Sequence, residues 1–174
     1  MFIDVETTGL NPNRHSLIEI GAKFRGEFFY QKCPHDDALE IDPKAIKING
    51  YDPDATDRKG WKLGQNELLE DFLNWYYEMG GHDNVKLCGC NVGFDSRFLN
   101  INLTRYDFGI DHWSFRLLDL HQFAYFFSLR WKEKISAGKV YQRLGIPKEG
   151  IPHTAINGVK QAIKIYEKII NVDL

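Results

Sequence analysis

The hydrophobic positions in the first part of the chain are spaced as in β-strands. Apolar residues alternate with polar ones or form short unbroken runs, and turn-forming residues such as Arg25-Gly26 separate these runs. A later apolar run, bounded by polar and turn-forming residues, has the composition of a buried strand. The predicted strands are a first one beginning at Phe2, then Leu17–Phe24, Glu27–Lys32 and Val85–Cys90.

Elsewhere, apolar residues recur every three or four positions, which predicts helices with one buried face. Asp42-Pro43 is a typical helix start and Asn49-Gly50 a typical helix end, so a short helix is expected between them. The last helix has the clearest apolar stripe. The other predicted helices cover Gln65–Met79, a segment after Asn91, about Asp119 to Arg130, Ala137–Leu144, and finally Ala155–Ile170.

Strands cluster early, helices follow, and one strand returns between helices. This order predicts a mixed α/β fold with one sheet and helices packed on its faces. The length of 174 residues fits a single domain covering residues 1–174. Hydrophobic residues at 43% and charged residues at 26% are ordinary for a globular protein, so a core of normal size is expected.

The net charge of −2 excludes the strongly basic surface of proteins that coat long duplex DNA. It leaves open a protein that binds only the end of a nucleic-acid chain. No apolar run has membrane-spanning length, and the acidic N-terminus is not typical of a signal peptide. We therefore expect a cytoplasmic protein without a membrane partner.

Three cysteines form an odd number, which argues against a secreted disulfide framework. Cys88 and Cys90, with His82 upstream, could be imagined as part of a zinc site, but their spacing fits no usual zinc pattern. Cys88 also lies in a strand-like apolar run. Buried, reduced thiols are the favoured interpretation.

Asp4 and Glu6 are the first residues that indicate chemistry. Side chains alternate along a strand, so these two carboxylates point to the same face. Like charges repel unless a cation lies between them, and carboxylate oxygens suit hard cations such as Mg²⁺ or Mn²⁺. The alternative is a polar strand end that faces water, since two acids at this spacing form a weak motif.

Asp95 and His153 can each be interpreted as a functional or as a structural residue. Asp95 follows the predicted buried strand, at the start of a helix, where an aspartate commonly serves as a helix cap. His153 stands at the start of the last helix, where it could be a surface or capping residue. Taken alone, each is more often structural.

In this order, Asp4, Glu6, Asp95 and His153 resemble the DEDD exonuclease superfamily, in its His-containing, DnaQ-like branch. Relatives of this branch include the proofreading subunit of bacterial DNA polymerase III, RNase T and oligoribonuclease. The resemblance extends over nearly the whole chain. Its segments are Phe2–Leu10, Leu17–Ala22, Ala45–Gly50, Asn91–Leu99, Leu118–Leu120 and His153–Ala155.

The resemblance implies an RNase H-like fold and a 3′-to-5′ exonuclease that releases nucleoside monophosphates with two divalent cations, Mg²⁺ or Mn²⁺. It implies that Asp4 bridges both ions, Glu6 binds the ion beside the attacking water, and Asp95 holds the second ion. His153 would be the general base. Residues expected to contact the terminal nucleotide are Thr7, Thr8, Gly9, Leu10, Asn91 and Phe94.

One position departs from the family pattern. The family places an aspartate five residues after the histidine as a further metal ligand, and here that position is Gly158. A glycine inside a helix costs roughly 1 kcal/mol relative to alanine, and the apolar stripe does not require one there. The departure predicts weakened activity, unless another carboxylate replaces the missing ligand.

The expected partner is the 3′ end of a single strand of DNA or RNA. The resemblance also suggests a polymerase, or a second copy of the chain, as a protein partner, and a stand-alone or phage-encoded nuclease as the kind of relative. The alternative function is a catalytically silent subunit that binds nucleic-acid ends, favoured by Gly158. A transposase or RNase H-type endonuclease is disfavoured by the segment around His153.

Overall fold

The computed structural model describes residues 1–171, which form one five-stranded sheet and six helices. The strands lie in the order β3-β2-β1-β4-β5, with β1 at the centre. Their bounds are Phe2–Thr7 (β1), Leu17–Phe24 (β2), Glu27–Lys32 (β3), Cys88–Gly89 (β4) and Leu118–Asp119 (β5). β1, β2 and β3 pair antiparallel, whereas β4 and β5 are parallel additions. This is the predicted mixed sheet.

Helices cover both faces of the sheet, as the sequence predicts. Their bounds are Pro43–Asn49 (α1), Gln65–Glu78 (α2), Val92–Arg105 (α3), Leu120–Arg130 (α4), Ala137–Arg143 (α5) and Ala155–Ile170 (α6). In the chain as far as residue 171, no helix is both long and apolar enough to cross a membrane.

β1 divides its side chains between two cores. Ile3 and Val5 pack with α2 and α3 in one core, while Phe2 packs in the other core with α4, α5 and α6. Asp4 and Glu6 share the parity of Phe2, so they lie on the α6 side of the sheet. The alternation predicted for this strand therefore decides which layer the carboxylates enter.

The short helix α1 follows its sequence signals closely. The Asp42 side chain accepts a hydrogen bond from the Lys44 backbone N–H at 2.8 Å, and Pro43 opens the helix. Gly50 ends it with φ +68°, a left-handed conformation that glycine adopts at little cost. Both ends of α1 were therefore predictable from local chemistry.

The region predicted as one strand over Val85–Cys90 is shorter than expected. Only Cys88–Gly89 forms a ladder, pairing with β1 at a single position, Phe2 with Cys88. Val85 and Leu87 are buried, and their carbonyls accept hydrogen bonds from the backbone N–H groups of Ser114, in the loop before β5, and of Leu118, the first residue of β5. β5 was not predicted as a strand, because two residues carry no detectable periodicity.

Helix α6 begins directly on β2, because Gly21 leaves room for its backbone. A Cβ added at Gly21 would lie 2.5 Å from the carbonyl carbon and oxygen of Ala155. On the same strand, Glu19 Oε2 accepts a hydrogen bond from the Ala155 backbone N–H at 3.2 Å. These two contacts set the position of the segment that carries His153.

We expect Gly21→Ala to destabilise the protein by about 1–3 kcal/mol, because the methyl group would collide with backbone atoms that cannot move alone. The matched control is Gly138→Ala in α5, where an added Cβ meets nothing within 4 Å. The control should be neutral or slightly stabilising. Urea unfolding in EDTA measures both, and equal stability of the two variants would contradict the proposed close contact.

Candidate active site

Asp95 joins the start of α3 to the centre of the sheet. Its Oδ1 accepts a hydrogen bond from the Val5 backbone N–H at 2.9 Å, and its side chain is almost fully buried. The residue at the N-cap position of α3 is Asn91, so the capping interpretation of Asp95 is wrong. The Val5 N–H lies beyond the end of β4, and Asp95 supplies the acceptor that a longer strand would have provided.

The three acids that the sequence singles out affect one another strongly. Burial raises the pKa of Asp4 well above its ordinary value, and the charges of Asp95 and Glu6 raise it further. Burial raises the pKa of Glu6 to about 8, the charge of Glu19 adds to this effect, and the Asn49 side chain partly offsets it. The structure therefore brings the predicted carboxylates into one electrostatic cluster.

Burial also affects the pKa of Asp95. Burial raises its pKa to about 7, although hydrogen bonds from the backbone N–H groups of Val5 and of Asp95 itself favour the charged form. Because the pKa of Asp95 is raised despite these two hydrogen bonds, the loss of solvent around the carboxylate is the larger effect. A cation in the cluster would reverse this effect for all three acids.

Glu19 belongs to the same face and was missed as a site residue in the sequence. It lies opposite Glu6 across β1 and β2, and opposite Lys32 across β2 and β3. Lys32 Nζ is 2.5 Å from Glu19 Oε1, so this acid already has a cationic partner. Strand alternation could have revealed Glu19, because it lies within Leu17–Ala22, one of the segments that resemble the family.

His153 reaches the site from the loop that precedes α6. Its backbone N–H donates to the Ile48 carbonyl at 3.0 Å, which ties the loop to α1. Its Nδ1 lies 3.8 Å from Glu149 Oε2, and about a third of its side chain is exposed. The peptide bond between Ile151 and Pro152 is cis. The helix cap itself is Thr154, so His153 is not the capping residue.

A cavity of about 220 Å³ opens beside these groups. Asp4, His153 and Gly158 line it, as does Glu149, which the sequence did not single out. The cavity therefore brings Asp4 and His153 together. The other two acids, Glu6 and Asp95, are not among its lining residues. The remaining lining residues are Cys90, His121, Gly138, Tyr141, Lys148 and Gln161.

Gly158 has a packing role that the sequence did not reveal. A Cβ at this position would overlap the carboxylate of Asp4, whose oxygens lie against the helix backbone. The glycine therefore accommodates Asp4 in the arrangement shown. Over residues 1–171, no three His, Cys, Asp or Glu side chains converge in a geometry that would hold an ion without rearrangement.

The loop Thr7–Leu10 is held by a hydrogen bond of its own and by several to neighbouring segments. The Thr7 hydroxyl donates to the Gly9 carbonyl at 2.7 Å, and the Thr8 hydroxyl donates to the Glu40 carbonyl at 2.8 Å. Both threonines are buried, whereas the Leu10 side chain is 73% exposed. The threonines thus shape the loop, and Leu10 is its outward-facing member. Contact between this loop and a nucleotide stays a prediction.

The space above Gly9 is filled by a neighbouring side chain. A Cβ at Gly9 would overlap the ring of His15, whose Nδ1 accepts a hydrogen bond from the Asn11 backbone N–H at 3.1 Å. The resemblance implies that Gly9 contacts the terminal nucleotide, which stays a prediction. In the structure, the close approach is made by His15.

Asn91 and Phe94 differ in what they offer a ligand. Asn91 is exposed in a left-handed conformation, φ 61°, and its backbone N–H donates to Asp119 Oδ1 at 3.0 Å. Phe94 is half-buried and packs against Phe98, with ring centroids 4.8 Å apart. Part of the Phe94 ring therefore supports the core. A stacking role stays a prediction.

Comparison with known proteins places this arrangement in a family. Residues 1–166 match the exonuclease family RNase_T. The fold is similar to E. coli exonuclease I in complex with a dT13 oligonucleotide, with a TM-score of 0.71 and 19% identity, covering 98% of this chain and 40% of that one. For exonuclease I without ligand, the TM-score is 0.72 and the identity 21%, covering 97% and 41%.

A zinc-ion-bound form of the E. coli exonuclease I complex with single-stranded DNA has a TM-score of 0.70 and 20% identity, covering 97% of this chain and 39% of that one. This chain therefore spans about 40% of the length of those exonuclease I chains. The structural likeness confirms the RNase H-like fold. With the match over residues 1–166, it confirms the resemblance seen in the sequence: the chain belongs to the RNase_T exonuclease family, in the His-containing branch of the DEDD superfamily.

Proposed function

We propose that this chain is a metal-dependent 3′-to-5′ exonuclease domain that releases nucleoside monophosphates from single-stranded or frayed 3′ ends. The observation that carries the proposal is the cluster of Asp4 and Glu6 from β1 with Asp95 from α3, next to the loop that bears His153. Membership of an exonuclease family supports this interpretation of the acids. The similar exonuclease I structures hold single-stranded oligonucleotides, which supports a single strand as substrate.

The residues present fit divalent cations. Their donors are carboxylate oxygens, which hard ions such as Mg²⁺ and Mn²⁺ prefer. Burial is the main cause of the raised pKa values of Asp4, Glu6 and Asp95, and no lysine, arginine or histidine of residues 1–171 is among the groups that lower them. These three residues would hold the two ions. When bound, such ions neutralise charge on a scissile phosphate and lower the pKa of a nearby water molecule.

His153 is placed to accept a proton at the edge of the cavity. Its backbone is tied to α1 while its ring remains partly exposed, so a water molecule can reach the imidazole. Neutral imidazole is the usual general base near pH 7. We assign His153 to removing the proton from the attacking water.

The end of the strand would lie between the Thr7–Leu10 loop and the start of α3. Leu10 extends an apolar side chain into solvent, where it could pack against a base, and the Phe94 ring lies at the start of α3. Both contacts use the flat face of a base and need no particular sequence. We therefore expect little sequence preference in the strand that is degraded.

We expect Asp4→Asn to lower exonuclease activity at least about 100-fold, because a direct ligand should matter no less than the outer groups that orient ligands. The assay uses end-labelled single-stranded DNA and RNA of matched sequence with Mn²⁺. The control, Asp54→Asn, changes an exposed aspartate outside the cavity and should retain full activity. If Asp4→Asn degrades either substrate as fast as the control does, the proposed site is wrong.

The metal-free protein should lose stability as pH rises from about 5 to 9. Glu6 and Asp95 keep their protons in the folded state up to about pH 8 and pH 7, whereas the unfolded chain releases them near its ordinary values. The folded state then binds more protons than the unfolded state, so the free energy of unfolding falls with pH. The stabilisation that these two groups provide at low pH is therefore lost as the pH rises through about 7 and about 8.

Chemical unfolding in EDTA at several pH values measures this effect. Glu6→Gln should flatten the pH dependence, because an amide does not titrate. Saturating Mn²⁺ should reverse the trend, since ion binding improves as the carboxylates lose protons. A metal-free stability that rises between pH 6 and 8 would contradict the assigned electrostatics.

A catalytically silent end-binding protein is the second candidate, because position 158 carries no carboxylate. We expect Gly158→Asp to raise exonuclease activity and Mn²⁺ affinity above those of Gly158→Ala. Both variants add a Cβ that displaces the Asp4 carboxylate, so their difference isolates the new acid. Only the aspartate variant should be strongly stabilised by Mn²⁺, since an ion that binds the folded state shifts folding by mass action.

In EDTA, Gly158→Asp should be no more stable than Gly158→Ala, because it adds a carboxylate to an acidic cluster. Activity assays and thermal unfolding with and without Mn²⁺ separate the two variants. Equal activity and equal Mn²⁺ response would show that position 158 is not beside the ions, and the silent-binder function would then be favoured.

A further inference from the structure

Within residues 1–171, Glu149 is the one acid that lines the cavity from a loop. It lies in the loop between α5 and α6, four residues before His153, and about a fifth of its side chain is exposed. The residue lines the same cavity as Asp4, His153 and Gly158. It lies outside the segments that resemble the family, the last of which begins at His153.

The carboxylate of Glu149 is only partly accounted for by its surroundings. Its Oε2 lies 3.8 Å from His153 Nδ1, and a backbone hydrogen bond from Thr154 favours its charged form. Its Oε1 is buried and has no hydrogen-bond partner among the described residues. A buried acceptor without a partner costs about 1–3 kcal/mol, and more when it is charged. Oε1 therefore has a lone-pair position that no described residue satisfies.

The charge of Glu149 reaches the predicted ligands. In addition to burial, the negative charge of Glu149 raises the pKa of Asp4 and of Glu6, so the three carboxylates repel one another. Position 158, which lines the same cavity, contributes no side chain beyond hydrogen. One acid is thus absent where the family has one, and another acid with an unpartnered oxygen lies in the same cavity.

We propose that Glu149 supplies the carboxylate that position 158 lacks, and that it binds a divalent cation together with Asp4. This inference rests on the proposed metal-dependent function. In this arrangement a loop residue replaces a helix residue as the carboxylate ligand. Because Glu149 also lies beside His153, the ion it binds would be the one on the side of the attacking water.

The test is calorimetric titration with Mn²⁺ of four proteins. They are the unmodified chain, Glu149→Gln, Asp4→Asn, and Glu70→Gln as the matched control on an exposed position of α2. Glu149→Gln should weaken Mn²⁺ binding on the order of 10-fold or more, as loss of a ligand does. Glu70→Gln should bind as the unmodified chain does.

A double variant tests whether positions 149 and 158 are interchangeable. Combining Glu149→Gln with Gly158→Asp should restore the Mn²⁺ affinity that Glu149→Gln loses, because the family position then regains its acid. Thermal unfolding in EDTA supplies a readout that does not depend on metal. Glu149→Gln should unfold at the same temperature as the unmodified chain or higher, since it removes one charge from an acidic cluster.

The outcomes distinguish this inference from the proposed function. If Asp4→Asn loses Mn²⁺ binding while Glu149→Gln binds normally, the Glu149 inference is overturned and the proposed site stands. A Glu149→Gln variant that is less stable in EDTA but binds Mn²⁺ normally would show that Glu149 only holds the loop before α6. If Asp4→Asn and the unmodified chain bind Mn²⁺ equally, or neither binds it, the proposed site itself is wrong.

Discussion

The short pairing between β4 and β1 is the constraint on which the site depends. The two strands meet at one position, so the Val5 N–H at the centre of the sheet has no strand partner. Asp95 accepts this hydrogen bond from the start of α3. Leaving a buried N–H unpaired would cost about 1–3 kcal/mol, so the bond that completes the sheet also fixes a carboxylate beside Asp4 and Glu6. Fold stability and site geometry thus depend on one contact.

The same face of the sheet carries more negative charge than the protein neutralises by itself. Lys32 pairs with Glu19, and Glu19 in turn receives the backbone N–H at the start of α6. Asp4, Glu6 and Asp95 have no comparable partner among the described residues, and burial raises their pKa values. Buried like charges destabilise a fold unless a cation joins them. Such a cluster is understandable in a protein whose family hydrolyses phosphodiesters.

Gly158 and Glu149 show how a change at one helix position alters a site through packing. The glycine removes a side chain from α6, and the Asp4 carboxylate lies in the space that a Cβ would fill. Glu149 brings its own carboxylate into the same cavity from a flanking loop. The family pattern and the observed site therefore differ in which element provides an acid.

Local chemistry made much of the fold predictable. Asp42 and Gly50 mark the ends of α1, Arg25-Gly26 forms the turn between β2 and β3, and the apolar stripe of α6 is evident from spacing. The predicted strand at Val85–Cys90 was too long, because the extent of a ladder depends on its partner strand. Strand β5 exists only through its pairing with β4 and has no pattern of its own.

For the site, the sequence by itself determined that Asp4 and Glu6 share a face, since strand alternation is a property of the local backbone. It also identified Asp95 and His153 through the family resemblance. Only the tertiary structure decided that Asp95 completes the hydrogen bonding of β1, that Gly158 lies against Asp4, and that Glu149 reaches the cavity. Those three facts join residues far apart in the chain or on different elements, and no local pattern encodes a contact that packing creates.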